Sequence, residues 1–114
     1  MIIIIRPHII EFLTDPPVRA IAFYPFIVLR AEEDRQVPEL INHERIHLRQ
    51  QAEMLIIFFY LWYFIEYLTR LAVTKQKHQA YKSICFEKEA YDNARSPDYL
   101  TKRKAYTFIR YLCR

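Results

Sequence analysis

The chain opens on four consecutive isoleucines, Ile2 to Ile5, β-branched and stopped by Arg6-Pro7, a pattern that predicts a short buried strand. A second apolar block runs from Ala20 to Arg30 through Ile21, Phe23, Phe26, Ile27, Val28 and Leu29. Pro25 lies inside it and removes a ladder donor, so this strand is expected to be bulged, broken or at a sheet edge. The acidic stretch Ala31 to Arg35 reads as a loop. From Pro38 the spacing becomes helical: Leu40, Ile41, Ile46 and Leu48 supply the buried contacts of a helix over residues 39–53. Proline at its first turn and Glu39 at the positive end of its dipole suit that start.

Twelve apolar or aromatic residues follow without a break, Met54 to Ile65, and apolar character resumes at Tyr67, Leu68 and Leu71 to Val73. They predict a hydrophobic helix over 54–73, expected to be enclosed as a core helix. Membrane association through 54–73 is the alternative, because twenty helical residues span about 30 Å, the thickness of a hydrocarbon core. Glu66 and Arg70 would then have to be accommodated, and their i to i+4 spacing allows them to pair. After the polar break Thr74 to Gln79, a helix is expected over 79–94. Ser96-Pro97-Asp98 makes a corner, and a basic helix over 99–112 carries Leu100, Tyr106, Ile109 and Leu112 on its apolar side.

The 114 residues suffice for a single domain. With nine Tyr, eight Phe and one Trp, that domain has bulky material for a core. The chain has no glycine, which excludes glycine-rich phosphate loops and favours helices over hairpins. Helix ends needing positive φ are then expected to use Asn or Asp, or to avoid that geometry. The fold class that results is mainly α with a small N-terminal β element (α+β). The net charge of +4 comes from the C-terminal part, where residues 75–114 hold 10 basic and 4 acidic side chains. A solvated helix face is the expected use of these charges, and no nucleic-acid partner is expected. Cys85 and Cys113 have neither knuckle nor framework spacing, which suits a reducing compartment. The amino end has no secretory signal pattern, so a cytoplasmic location is expected, with membrane association as the alternative.

The chemistry gathers at His43-Glu44-Arg45-Ile46-His47. Histidines four apart on a helix lie about 40° from one another around the axis, so both imidazoles reach one ion. A glutamate directly after the first stands beside that ion, placed to take a proton from water. Glu44 fills this position in the His-Glu-x-x-His arrangement of zinc peptidases. A third ligand is required, and downstream candidates are His78, Cys85, Glu87, Glu89, Asp92 and Asp98. In the 79–94 helix, Glu87 shares a face with Ala90, Tyr91 and Ala94, small enough for close approach to the first helix. Glu89 shares a face with Asn93 and Ser96 that looks solvated. Glu87 is therefore preferred as third ligand, with Glu89 the alternative and His78 behind both.

The segments Pro25-Phe26-Ile27, Asn42 to His47 and Phe86-Glu87-Lys88-Glu89-Ala90-Tyr91, in this order, resemble the strand and two helix motifs of gluzincin-type metallopeptidases. They are more similar still to very short bacterial proteins related to the minigluzincins. The resemblance covers most of the chain from about residue 20. It implies a single-domain zincin-like helical core, a bound Zn2+, and peptide hydrolysis with Glu44 as general base. In many gluzincins Asp or Asn follows four residues after the ligand glutamate and steadies a zinc-binding histidine. Here Tyr91 stands four after Glu87, and Asn93 four after Glu89.

A peptidase also needs a donor for the tetrahedral oxyanion, for which Tyr91, Tyr99 and Tyr106 are candidates. Peptide or protein substrates commonly add as a strand, and the segment Phe23 to Leu29, with Phe26, Ile27 and Val28 at its centre, is expected to offer that edge. The competing expectation keeps the zinc and drops catalysis, leaving a zinc-binding or regulatory protein on the same scaffold.

Overall fold

The structure is a computed structural model and describes residues 1–14 and 18–112. Strand β1 (Ile2–Ile5) leads to helix α1 (Pro7–Leu13), then to strands β2 (Ala20–Phe23) and β3 (Phe26–Leu29). A 3-10 turn (Glu32–Gln36) precedes the long helices α2 (Pro38–Glu53) and α3 (Ile57–Thr74). Helices α4 (Lys77–Ser83), α5 (Cys85–Asn93) and α6 (Tyr99–Lys102) and a 3-10 turn (Thr107–Tyr111) complete the chain. The architecture is mainly α with a small three-stranded sheet near the amino end.

The sheet runs in the order β1-β3-β2, with β1 parallel and β2 antiparallel to β3. Pro25 breaks the second apolar block into a hairpin, turning through a cis Tyr24–Pro25 peptide bond. Phe26, Ile27 and Val28 therefore occupy the central strand, with ladder partners on both sides. The expectation that they form an edge for substrate is corrected: the outer strand on that side is β2. Arg30 N–H bonds Arg19 O, so alternation directs the main-chain groups of Ala20 and Ala22 to the open side. Even there the Ala22 carbonyl is engaged, accepting from Gln51 Nε2 at 2.9 Å and from the Tyr60 hydroxyl at 2.5 Å.

Helix α2 is packed on two sides. Leu48, with half-buried Leu40 and Ile41, meets Ala22, Ile27 and Leu29 of the sheet. A second core forms where Phe59 of α3, Ile84, Cys85 and Phe86 of α5's start, and Phe108 and Tyr111 of the C-terminal turn come together. Side chains from other elements finish the ends of α5. Glu66 Oε2 on α3 accepts from Cys85 N–H at 2.9 Å. At the other end Asn42 Nδ2 on α2 donates to the carbonyls of Asn93, Ala94 and Ser96 at 2.9–3.2 Å.

Several local expectations are revised. Residues 7–13, for which the sequence pattern predicts no helix, form α1, because Pro7 opens a turn and Ile10 plugs into the core. The 79–94 helix is two helices, broken at Ile84, whose extended backbone lets the chain turn over the buried Glu66. The 99–112 helix is interrupted after Lys102, where Arg103 leaves helical geometry and sends its side chain into the core. Positive φ is taken by Leu55, Ile56, Lys75 and Tyr106, none of them Asn or Asp. At these corners tertiary packing outweighs the local preference.

The hydrophobic helix begins at Ile57 rather than Met54. It is not enclosed: Ile57, Phe58, Leu61, Phe64, Ile65 and Leu68 are all exposed. Among the described residues no single helix is long and apolar enough to cross a membrane. α2 and α3 pass such a test only together, and they are bent by 112°.

Candidate metal centre

Helical periodicity puts His43 and His47 on one face of α2, and α5 crosses opposite them where Ala90 and Ala94 leave room for Glu87 to enter. The two Nε2 atoms are 3.2 Å apart, and Glu87 Oε1 lies 3.2 Å from that of His43 and 3.1 Å from that of His47. This is the one His/Cys/Asp/Glu cluster among the described residues whose donor atoms converge for a metal ion. A tetrahedral zinc ion with bonds of about 2.0–2.1 Å separates its ligands by about 3.3 Å. The triangle is close to that size.

The hydrogen bonding around the triangle tests the fit. Gln50 Nε2 donates to Phe86 O at 3.1 Å and Glu89 Oε1 at 3.0 Å, which leaves Gln50 Oε1 as the acceptor for His47 Nδ1 at 2.8 Å. A neutral His47 then presents its Nε2 lone pair to Glu87 and to His43. Only a cation or a proton relieves that repulsion. Burial opposes a charge on His47, but Glu87, Glu44 and Gln50 outweigh it and push the imidazole up to about 9. Burial likewise opposes a charge on Glu87, yet His47 and His43 hold its carboxyl well below the usual carboxylate range. The donor set suits a divalent ion of zinc's preferences.

Glu44 stands beside the triangle without joining it, with Oε2 3.9 Å from His43 Nε2. Burial raises its carboxyl above the ordinary range, and Glu87 adds to this while the histidines oppose it. A raised carboxyl is what a proton acceptor and donor near neutrality requires. Glu44, His47 and Glu87 sit together at the wall of a groove of about 740 Å³. Its other walls are almost wholly apolar: Ile9 and Leu13 of α1, Ala20 to Phe23, and Tyr60, Phe64 and Tyr67 of α3. Phe26 and Val28 line it with their side chains, while Ile27 points into the opposite core.

The remaining candidates fall elsewhere. Glu89 is not solvated as its face suggested but fully buried, paired with the Arg103 guanidinium and accepting from the Tyr99 hydroxyl at 2.6 Å. Arg103 also holds Glu53, at 2.6 Å. Asn93 bonds Glu89 O and Tyr111 rather than a histidine. His78 is exposed on α4, its ring 6.5 Å from that of Tyr81. Cys85 is buried beside Glu66, Asp98 pairs with Lys102 at the surface, and Asp92 is exposed.

Of the three tyrosines considered, Tyr99 is committed to Glu89 and Tyr106 caps the C-terminal turn. Tyr91 remains near the site, its ring 4.5 Å from that of His43 and its hydroxyl 3.4 Å from that of Tyr81. Sequence reasoning missed Tyr63 and Tyr81, both in the groove wall, and the Tyr63 hydroxyl donates to Glu87 Oε2 at 2.6 Å. It also missed Gln50. The signal for Gln50 was present, since it lies seven positions after His43 on the ligand face. Nothing singled out Tyr63 from eight other tyrosines. Compared with protein families, curated proteins and solved structures, the chain matches none.

Proposed function

We propose that this chain is a zinc-dependent peptidase in which His43, His47 and Glu87 hold the ion and Glu44 is the general base. The observation that carries the reading is the convergence of three donor atoms at 3.1–3.2 Å with Glu44 beside them, and Glu44, His47 and Glu87 line one groove. The motif resemblance to gluzincins points the same way. Zinc in such a site supplies a Lewis acid that polarises a peptide carbonyl and makes an incoming water easier to deprotonate.

The chain's own residues do the rest. Glu44 takes the water's proton and passes it to the leaving amine, a role that its raised carboxyl suits. Gln50 and Tyr63 orient His47 and Glu87 through the hydrogen bonds described above. Tyr81, kept in its neutral hydroxyl form by burial and by Glu87, faces the groove as a donor for the oxyanion. The apolar walls bind the side chains of a peptide and exclude water from the reaction.

A second reading retains zinc without turnover, as a structural or regulatory site. Burial favours it: His43, Glu44, His47 and Glu87 are 4–7% exposed. One experiment separates the readings. The protein is purified, its zinc measured, and hydrolysis followed on a quenched peptide library beside His43→Ala, Glu87→Ala and Glu44→Gln. The peptidase reading expects zinc to be lost from the first two, and retained without turnover in the third. Zinc without turnover in the wild type supports the second reading. Equal zinc content in all forms removes both.

A further inference from the structure

The longest helix of the chain is turned inside out. At 100° per residue, Ile57, Phe58, Leu61, Phe64, Ile65 and Leu68 of α3 fall within one arc of about 120°. All six are between 46% and 76% exposed. The polar atoms of the helix lie on the covered side. Tyr60 bonds Ala22 O, Tyr63 bonds Glu87, Trp62 bonds Glu66, and Arg70 holds both Glu66 and Leu112 O. A helix on a wetted surface has the reverse arrangement.

The make-up of the outward face says what covers it. Cores of protein interfaces are enriched in Tyr, Trp, Phe, Met and Arg, most of which combine area with a hydrogen-bonding handle. The Tyr, Trp and Arg residues of α3 all face inward, and of the enriched types only Phe58 and Phe64, which carry no hydrogen-bonding group, stand outward. The outward arc holds hydrocarbon alone, the surface required by a solvent that accepts no hydrogen bonds. Thr69, at its margin, has its hydroxyl already satisfied by Ile65 O at 2.9 Å. The apolar surface continues onto α1, where Phe12 is 88% exposed, and Leu13 of α1 shares the groove wall with Phe64 of α3.

Charge complements this face. Exposed Lys75 and Lys77 follow directly on the end of α3, and the chain carries a net charge of +4. Cations at the rim of an apolar patch suit the headgroups of an anionic bilayer. Only one side of α3 is open, its other side being covered by α2, α4 and α5. The helix is therefore placed to lie along a surface rather than to cross it.

We propose that the face formed by α3 and α1 docks on an anionic lipid bilayer, with α3 in the plane of the interface and its outward side chains among the acyl chains. The inference does not depend on the metal or on peptidase activity. It is tested by sedimenting the full chain with vesicles of phosphatidylcholine and phosphatidylglycerol. The wild type is expected to pellet with them. The variant carrying Leu61→Gln and Ile65→Gln, both at exposed positions, is expected to bind at least about tenfold more weakly while keeping its circular dichroism. Lys75→Gln with Lys77→Gln is expected to weaken binding to the mixed vesicles and leave binding to pure phosphatidylcholine unchanged.

Failure of the wild type to pellet overturns the proposal, and this arm needs no variant to fold. Equal pelleting of the Leu61→Gln, Ile65→Gln variant also overturns it. So does a lipid-free dimer at sedimentation equilibrium that this variant dissociates, which would assign the face to a second copy of the chain.

Discussion

Gln50 holds His47. Its Oε1 accepts from Nδ1 at 2.8 Å, and its amide nitrogen is fixed by Phe86 O and Glu89 Oε1, so the ring cannot turn its Nε2 away from Glu87. Partners of this kind are worth roughly 10–100-fold in metal affinity. Gln50→Ala is therefore expected to weaken zinc binding by about that factor, measured by competition with a chromogenic chelator, with little change in helical content. Unchanged affinity would mean that the ring is held by packing alone.

Zinc uptake is expected to expel a proton. In the metal-free protein His47 titrates at about 9, above its ordinary value, so the stability its charge lends is fully present below about 6.5 and fades as pH rises through 9. Glu87 works in the opposite sense: its carboxyl is lowered, so its contribution is present above the ordinary carboxylate range and lost only in acid. Zinc needs His47 neutral. Apparent zinc affinity should rise about tenfold per unit between about pH 7 and pH 9. A flat profile over that interval would show that His47 is already neutral without metal.

Arg103 neutralises two carboxylates from two helices, Glu53 and Glu89, with its own side chain fully covered. Removing one member of a buried ion cluster costs about 3–5 kcal/mol, because it strands the others. Arg103→Met should lower unfolding stability in urea by about that much. A cost below about 1 kcal/mol would place the cluster in contact with water.

Burial, reinforced by Glu66, pushes the Cys85 thiol up, and the residue has no exposed surface. Iodoacetamide at pH 8 is expected to leave Cys85 unmodified in the folded chain and to alkylate it in urea, read by peptide mapping that separates it from Cys113. Cys113 lies outside the described residues. Rapid labelling of Cys85 without denaturant would contradict the packing of α5 against α3.

The convergence of His43, His47 and Glu87 was legible because its signal is local: four-residue spacing in α2, and small residues around Glu87 in α5. The first strand, which is an outer, partly exposed strand and not the buried one expected, α2 and the break at Pro25 were legible for the same reason. Glu89 was misread because its partner, Arg103, is fourteen positions away, and a carboxylate beside Asn93 and Ser96 carries no mark of a distant guanidinium. The central place of β3 was hidden too. Strand order depends on the pairing of Ile2 to Ile5 with Phe26 to Leu29, which no periodicity encodes. For α3 the apolar run suggested enclosure, but hydropathy does not say which side of a helix other elements cover.

The ends of α5 have a consequence for the site. None of the described helices has a side-chain hydrogen bond at its own N-cap, and the chain has no glycine to close a C-terminus. Glu66 and Asn42, from α3 and α2, do that work for the nine-residue helix that carries Glu87. A helix so short does not persist alone in water. Glu87 is thus held opposite His43 and His47 by contacts from two distant stretches of chain. The geometry of the site therefore rests on the packing of α2 and α3 against α5, not on α5 alone.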